Sequence, residues 1–177
     1  PKHLIPVGGK PILEHVLLAI KEAGIHEICL IVGYKAEMIK DRFSDGSSLG
    51  LKIEYAVQPK LLGTADAIKT AKPYVDENFL VVYGDLLFTP EVIMKVLRAH
   101  EQNKPSVTMA VTPVKNPERY GVVKLEEGWV VDLIEKPPKE EAPSNLVNAG
   151  IYVFSEEIFE KIEKTEPSPR GELEITD

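Results

Sequence analysis

The run Val81-Val82-Tyr83-Gly84-Asp85 joins an apolar strand to an acid that follows directly after a glycine. In open α/β sheets, ligands bind at the carboxyl edge of the strands. A carboxylate at that edge can hold a divalent cation against phosphate oxygens. Gly and Asp also favour turns, and by itself the run fits a plain turn better. Asp85 is therefore the first candidate metal ligand, and the rest of the chain must decide between the two interpretations.

A second candidate site contains Gln58 and the run Leu62-Gly63-Thr64-Ala65. Gln58 ends a predicted strand, and its amide offers the donor and the acceptor that recognition of a base requires. Gly63 would let the backbone approach a flat ligand closely. Thr64 is predicted to cap a helix whose first amides lack partners. A plain loop followed by a helix cap explains the same residues, and on these residues alone it is the better explanation.

Polar residues also occur at the end of one later strand and inside another. Glu135 and Lys136 follow a predicted strand, where they could bind sugar hydroxyls and a phosphate. An exposed ion pair is the commoner explanation for such neighbours. Asn148 and Gly150 lie inside a predicted strand, although both residue types are unfavourable there. Either a ligand approaches the sheet at this point or the strand contains a bulge.

Two further residues each allow two interpretations, and one further motif is excluded. Gly121 begins a strand, where it either offers its amide to a hydroxyl or phosphate or serves a turn. Lys2 is either a phosphate ligand or a solvated lysine. The run Gly8-Gly9-Lys10-Pro11 is not a P-loop, because that motif needs Ser or Thr after the lysine. We predict a tight strand-to-helix turn there.

The elements that must position these residues alternate along the first half of the chain. Apolar periodicity and capping residues predict helices over 11–23, 36–43, 64–71 and 90–103, and a short last helix capped by Ser155. Apolar or alternating runs predict strands over 28–32, 52–57, 79–83, 107–111, 121–125, 129–134 and 146–154. Strand–helix alternation followed by hairpin strands indicates an α/β fold with a mixed sheet and helices on both faces.

The length and composition of the chain exclude some classes of function. A chain of 177 residues fits one domain with a sizeable core, and a net charge of -7 argues against a nucleic-acid partner. The single cysteine, Cys29, lies in an apolar run and is predicted to be a small buried hydrophobe. No disulfide within the chain is possible, which fits a cytoplasmic location. Its four histidines are scattered and form no zinc pattern.

No apolar run reaches the length of a membrane span, and no signal peptide is visible. We therefore expect no membrane partner. The chain opens at Pro1 and stops at Asp177, and both ends look cut. We expect a fragment. The sequence leaves open whether the protein forms a homo-oligomer.

Taken in order, these segments resemble the sugar-1-phosphate nucleotidyltransferases, most of all glucose-1-phosphate thymidylyltransferase and its archaeal-type uridylyltransferase relatives. The matching stretches are residues 1–7 (Pro-Lys-His-Leu-Ile-Pro-Val), 10–14 (Lys-Pro-Ile-Leu-Glu), Gln58 with 62–67 (Leu-Gly-Thr-Ala-Asp-Ala), 83–85 (Tyr-Gly-Asp), 120–123 (Tyr-Gly-Val-Val), 135–137 (Glu-Lys-Pro), 148–152 (Asn-Ala-Gly-Ile-Tyr) and 171–177 (Gly-Glu-Leu-Glu-Ile-Thr-Asp). Each motif is weak alone, but their order and spacing are specific and cover essentially the whole chain.

The resemblance implies a three-layer α/β/α Rossmann-like sandwich with a mixed, mostly parallel sheet. It also implies an enzyme that joins a nucleoside triphosphate, dTTP or UTP, to a sugar 1-phosphate such as glucose 1-phosphate, releasing pyrophosphate with Mg²⁺ as cofactor. Carried over residue by residue, the family pattern assigns catalytic roles to Lys2, Asp85 and Lys136, with Asp85 as the metal ligand. It assigns nucleotide binding to Gln58, Gly63, Thr64, Tyr83 and Gly84, and sugar-phosphate binding to Gly121, Glu135 and Asn148.

Two features of the family pattern are absent from residues 1–177, which we interpret as a single nucleotidyltransferase domain. The Gly-x-Gly-x-Arg-Leu loop lies before the Pro-Lys segment in the family, and a second acidic metal ligand lies after the Thr-Asp segment. We expect the domain without these parts to be a weak catalyst or none. Two alternatives remain: a non-catalytic regulatory or assembly relative with the same fold, and a cytidylyltransferase acting on a phosphorylated alcohol.

Overall fold

The computed structural model describes residues 1–168 and 171–176 and forms an α/β fold. Its α-helices are α1 (Ile12–Glu22), α2 (Ala36–Phe43), α3 (Thr64–Thr70), α4 (Pro90–Asn103) and α5 (Ile158–Ile162). Its strands are β1 (Pro6–Val7), β2 (Lys10–Pro11), β3 (Glu27–Val32), β4 (Lys52–Val57), β5 (Asn78–Val82), β6 (Val107–Pro113), β7 (Gly121–Glu126), β8 (Trp129–Glu135) and β9 (Leu146–Ser155).

The alternation of side chains along β9 produces the three layers. Tyr152 and Phe154 pack in one buried cluster with residues of α3 and α5. Ile151 and Val153 point to the opposite face and pack with Val96 of α4. Successive strand residues face opposite sides of a sheet, so β9 is covered by helices on both faces. The predicted α/β/α sandwich is confirmed.

Strand pairing shows a larger antiparallel share than the sequence predicts. Strands β3 and β4 pair in parallel. A five-stranded sheet has the order β5-β9-β7-β8, with β6 also on β9, and its pairs are antiparallel. Parallel and antiparallel pairs therefore both occur among the described strands, but in separate sheets, and the antiparallel pairs outnumber the parallel one. The hairpin β7–β8 accounts for one of these pairs, since neighbouring strands joined by a short turn must run antiparallel. Strand β9, which pairs with β5, β6 and β7, supplies the other antiparallel pairs of this sheet.

Three local predictions about caps and turns are wrong. Gly63 is the N-cap of α3 and Thr64 is its first helical residue, so Thr64 is not the cap. Ser155 ends β9, and α5 begins two residues after Glu156 with Glu157 as its N-cap. The pair Gly8-Gly9, with φ of 58° and 86°, joins β1 to β2 in a two-residue hairpin rather than a strand to a helix.

The predicted irregularity at Asn148-Ala149-Gly150 is a bulge in β9. Met109 of β6 pairs with Tyr152, but Val111 pairs with Asn148, so β9 carries extra residues between these two pairs. Gly150 adopts a φ of 72°, which an L side chain rarely tolerates. Of the two explanations that the sequence offered, the bulge is the one seen.

Among the described helices, none has the length and apolar character needed to cross a membrane.

Candidate active site

A cavity of about 1480 Å³ opens between β3 and β5 and reaches the carboxyl ends of both strands. Predicted site residues that line it are Lys2, Gln58, Gly63, Thr64, Tyr83, Gly84 and Asp85. The structure therefore brings two predicted catalytic residues together with all five predicted nucleotide-binding residues. The three predicted residues of the sugar-phosphate site and Lys136 do not line this cavity. Gly121, Glu135 and Asn148 lie on β7, β8 and β9, and Lys136 directly follows β8.

Lys2 and Asp85 form an ion pair at the mouth of the cavity. The Lys2 Nζ atom lies 2.5 Å from Asp85 Oδ2, and the two side chains are 65% and 31% exposed. Asp85 follows β5 in a turn, and Lys2 begins a short 3-10 helix over Lys2–Leu4. Because both groups are open to solvent, Lys2 can leave Asp85 to bind a phosphate, and Asp85 can leave Lys2 to bind a metal ion.

His3 packs against Gly84 beside this pair. A Cβ atom at Gly84 would lie 3.2 Å from His3 Cδ2 and 3.3 Å from Leu13 Cδ1, so these side chains would have to move by a few tenths of an ångström. Burial lowers the pKa of His3, and this effect outweighs the opposing influence of Asp85. The glycine in the Gly-Asp sequence therefore allows this close packing, whatever ligand the site takes.

The Gln58 side chain is buried and has a fixed orientation. Its Nε2 donates to Gly63 O at 3.2 Å and to Asp66 Oδ2 at 2.7 Å. Both partners are acceptors, so they orient the amide group with its NH₂ toward α3. Only the carboxamide oxygen of Gln58 is left to meet a ligand at this end of β4.

The segment 171–176 packs onto the start of α3. Leu173 O accepts from Ala65 N at 2.9 Å, and Leu173 N donates to Leu62 O at 2.6 Å. A Cβ atom at Gly63 would lie 2.3 Å from Leu173 O. Gly63 does permit a close backbone approach as predicted, but the group that approaches is Leu173. The last residue of the terminal motif, Asp177, lies outside the described residues.

Thr64 binds this segment through its hydroxyl. Its Oγ1 donates to Glu174 Oε2 at 3.1 Å and accepts from Ile175 N at 2.9 Å. The hydroxyl also influences Tyr83, whose pKa is raised mainly by burial. The Thr64 hydroxyl therefore holds the segment 171–176 at the start of α3 and does not cap the helix.

The second group of predicted residues surrounds the hairpin β7–β8. Gly121 pairs with Glu135, and a Cβ atom at Gly121 would lie 3.1 Å from Glu135 Oε2. Lys136 Nζ lies 3.0 Å from Glu135 Oε1, and Lys136 adopts a φ of 46°. The absence of a side chain at Gly121 leaves room for this carboxylate, which is 26% exposed and so can reach a ligand.

Asn148 lies on the β9 bulge and is held by two hydrogen bonds. Its Oδ1 accepts from Gly150 N at 2.9 Å, and its Nδ2 donates to the hydroxyl of Tyr152. The Gly150 amide is a donor, so it fixes which end of the Asn148 amide faces Tyr152.

The described residues fit a magnesium ion that is shared with a substrate. No group of three or more acidic, histidine or cysteine side chains that could enclose a metal occurs in the described part of the chain. Mg²⁺ usually uses only one or two carboxylates, together with water and substrate phosphates. Asp85, with its exposed oxygens at the mouth of the cavity, can supply one such carboxylate.

Three residues at the site had no predicted role. Asp66 orients Gln58, Glu174 accepts from Thr64, and Tyr152 accepts from Asn148. All three lie inside motifs named above, and this position was the available signal for their roles. The Thr64–Glu174 contact joins residues 110 positions apart, whereas Gln58–Asp66 and Asn148–Tyr152 join residues eight and four positions apart. No motif specifies which of these side chains meet.

Comparisons with known proteins show which family the chain resembles. A family model described as "Nucleotidyl transferase" matches residues 1–177. The bifunctional protein GlmU of Methanocaldococcus jannaschii is 45% identical over 178 residues, which are 100% of this chain and 40% of that protein. A glucose-1-phosphate thymidylyltransferase of Streptomyces griseus is 37% identical over 99% of this chain and 49% of its own length.

A solved structure of UDP-glucose pyrophosphorylase complexed with UDP-glucose superimposes with a TM-score of 0.86 at 27% identity. The match covers 100% of this chain and 76% of that one. The chain spans about 40–50% of the length of the two curated relatives named above.

Proposed function

The chain belongs to the nucleotidyl transferase family, and on this premise we propose that the protein transfers a nucleotidyl group from UTP or dTTP to a sugar 1-phosphate. Glucose 1-phosphate is the first substrate to test. The reaction forms a nucleoside diphosphate sugar and releases pyrophosphate. We also propose that residues 1–177 act as one nucleotidyltransferase domain, and that the reaction takes place in the cytoplasm, where nucleoside triphosphates are made.

One observation carries the proposal. The cavity at the ends of β3 and β5 is lined by the Lys2–Asp85 pair and by Gln58. A cation, an acid and an amide can meet phosphate, metal and base respectively. A nucleoside triphosphate carries all three of these features when Mg²⁺ accompanies it.

The site residues support a mechanism based on positioning and charge neutralisation. Lys2 would turn from Asp85 to a phosphate oxygen, and Asp85 would hold the magnesium ion. When bound, the ion neutralises phosphate charge. A phosphate oxygen of the sugar phosphate would then attack the α-phosphorus in line, with pyrophosphate leaving on the opposite side.

The residues beyond Tyr83 would hold the second substrate. Glu135 can accept hydrogen bonds from sugar hydroxyls, and Lys136, 3.0 Å from that carboxylate, can contact the phosphate. Asn148 and the backbone at Gly121 would complete this subsite. Its position on the other side of Tyr83 supports two subsites that meet near the tyrosine.

The orientation of Gln58 supports a base with an imide N–H. Its NH₂ group already donates to Gly63 and Asp66, so the carboxamide oxygen is what a base would meet. Uracil and thymine present a donor at N3, whereas cytosine presents an acceptor there. A loss of one such hydrogen bond would disfavour CTP by roughly tenfold.

The test is a pyrophosphate-release screen of the complete protein with UTP, dTTP, CTP, ATP and GTP against several hexose 1-phosphates and phosphocholine. We expect turnover with UTP or dTTP and a hexose 1-phosphate, and none without Mg²⁺. Turnover only with CTP and phosphocholine would establish the cytidylyltransferase alternative. No turnover with any pair would favour the regulatory alternative.

A further inference from the structure

A row of interacting side chains connects the two proposed subsites. Asn148 donates to the Tyr152 hydroxyl, and the ring of Tyr152 lies beside that of Tyr83. The hydroxyls of Tyr152 and Thr64 both influence the pKa of Tyr83, and Thr64 donates to Glu174. These residues come from β9, the end of β5, the start of α3 and the segment 171–176. Residues from four separate parts of the chain thus share one network.

The chemistry of the two ends fixes the direction of the hydrogen bonds there. The Asn148 nitrogen can only donate, and Gly150 N fixes that nitrogen toward Tyr152 by donating to Oδ1. The Tyr152 hydroxyl therefore accepts from Asn148 and keeps its own proton for another partner. At the other end, Thr64 donates to the Glu174 carboxylate and accepts from Ile175 N.

Tyr152 is the central member that substrate cannot reach. It is only 3% exposed, and its ring stacks on Phe154 with the ring centroids 5.1 Å apart. Its centroid lies 6.0 Å from that of Tyr83. Burial, followed by the neighbouring Tyr83, raises the pKa of Tyr152, so the hydroxyl stays protonated and able to donate.

We propose that Tyr152 is a positioning residue that fixes the Asn148 amide in the sugar-phosphate subsite and links its orientation, through Tyr83, to Thr64 in the nucleotide subsite. The inference rests on the proposed function for its substrates. Asn148 lies on a bulge, where the backbone ladder is interrupted. Its side chain therefore depends on Tyr152 and Gly150 for a fixed direction. Without the tyrosine hydroxyl, the amide nitrogen loses its acceptor and the amide can rotate.

The test measures kcat and both KM values for the complete protein and its Tyr152→Phe variant. We expect KM for the sugar phosphate to rise about fivefold, as for the loss of one hydrogen bond, with kcat and the nucleotide KM within about twofold. Tyr83→Phe should raise the same KM, although Tyr83 has no contact with Asn148 among the hydrogen bonds of the described residues. Tyr55→Phe is the matched control, because it removes a hydroxyl that donates to Ser44 O at 2.7 Å on β4.

A double-mutant cycle separates positioning from a general structural effect. In an Asn148→Ala background, Tyr152→Phe should raise KM no further, because the amide it positions is gone. Equal effects in both backgrounds, or an unchanged KM in Tyr152→Phe, would overturn the inference. If Tyr152→Phe fails to fold by circular dichroism, Tyr83→Phe in the same two backgrounds decides in its place.

Failure of the proposed function and failure of the proposed role of Tyr152 give different results. An unsubstituted protein that releases no pyrophosphate with any substrate pair refutes the proposed function itself. An active protein whose Tyr152→Phe variant behaves like Tyr55→Phe refutes only the role of Tyr152.

Discussion

The Lys2 ammonium group lies 2.5 Å from the Asp85 carboxylate, so the two residues predicted to handle phosphate and metal are each other's partner. Exposed ion pairs contribute only about 0–1 kcal/mol to stability. The pair is therefore easily exchanged for a substrate phosphate and a cation. The pair keeps both groups at the mouth of the cavity, and each of them remains able to bind a ligand.

Asp85→Asn tests the metal assignment. Asparagine keeps the size of the side chain but removes the charge that a cation needs, so we expect turnover to fall by at least about 100-fold. Melting temperature should stay nearly unchanged, because only an exposed ion pair is lost. Asp41→Asn, an exposed acid on α2, is the control and should keep full activity. Magnesium-dependent turnover near normal in Asp85→Asn would refute the assignment.

Lys136→Ala tests the sugar-phosphate subsite. We expect KM for the sugar phosphate to rise roughly tenfold, because a hydrogen bond to a charged group is worth about 1.5–3 kcal/mol. The measurement is steady-state kinetics with the sugar phosphate varied at saturating nucleotide. Lys124→Ala is a matched control on the same hairpin, since Lys124 pairs with Glu126 at 2.9 Å and is equally exposed. If both variants raise KM alike, Lys136 belongs to the solvated surface.

Gly63→Ala tests whether the approach of Leu173 depends on the missing side chain. A Cβ atom there would lie 2.3 Å from Leu173 O, so the segment 171–176 should detach from α3. We expect faster protease cleavage of this segment and a melting temperature at least several degrees lower. Gly24→Ala is the control for backbone strain, because Gly24 has a similar φ of 96° and open space around it. Equal effects of the two substitutions would show that the contact with Leu173 is unimportant.

His100 makes stability depend on pH. It is buried, and its ring nitrogens lie 3.0 Å from Thr108 Oγ1 and 3.1 Å from Asn78 Oδ1. Burial lowers the pKa of His100 below its ordinary value of 6.5. The unfolded chain therefore binds more protons below that pH, and stability falls as the pH decreases through this range.

Urea unfolding between pH 7.5 and pH 5 would measure this loss of stability. His100→Gln should reduce the slope of stability against pH, leaving the part that comes from His3, whose pKa is also lowered. His26→Gln, at an exposed position, serves as the control. An unchanged slope in His100→Gln would contradict the prediction.

The sequence determined the helices and strands more completely than it determined the contacts between residues. Sequence patterns placed α1, α2, α4 and strands β3 to β9 within one or two residues, because the period of burial follows directly from helix and strand geometry. They did not predict the short strands β1 and β2. They misassigned Thr64 and Ser155 as helix caps. Both hydroxyl residues fit the cap pattern, but the Thr64 hydroxyl instead forms hydrogen bonds with Glu174 and Ile175.

The sequence alone also determined which motifs belong together, since order and spacing along the chain identify the family without any coordinates. Only the tertiary structure decided how they meet: Asp66 orients Gln58, Leu173 fills the space at Gly63, and Tyr152 holds Asn148. The contacts of the segment 171–176 with α3 join residues 110 positions apart, whereas Asp66 and Tyr152 lie only eight and four positions from their partners. The long-range contacts depend on the packing of one segment over another, and the short-range ones on the path of the folded backbone. Patterns of residue type specify neither.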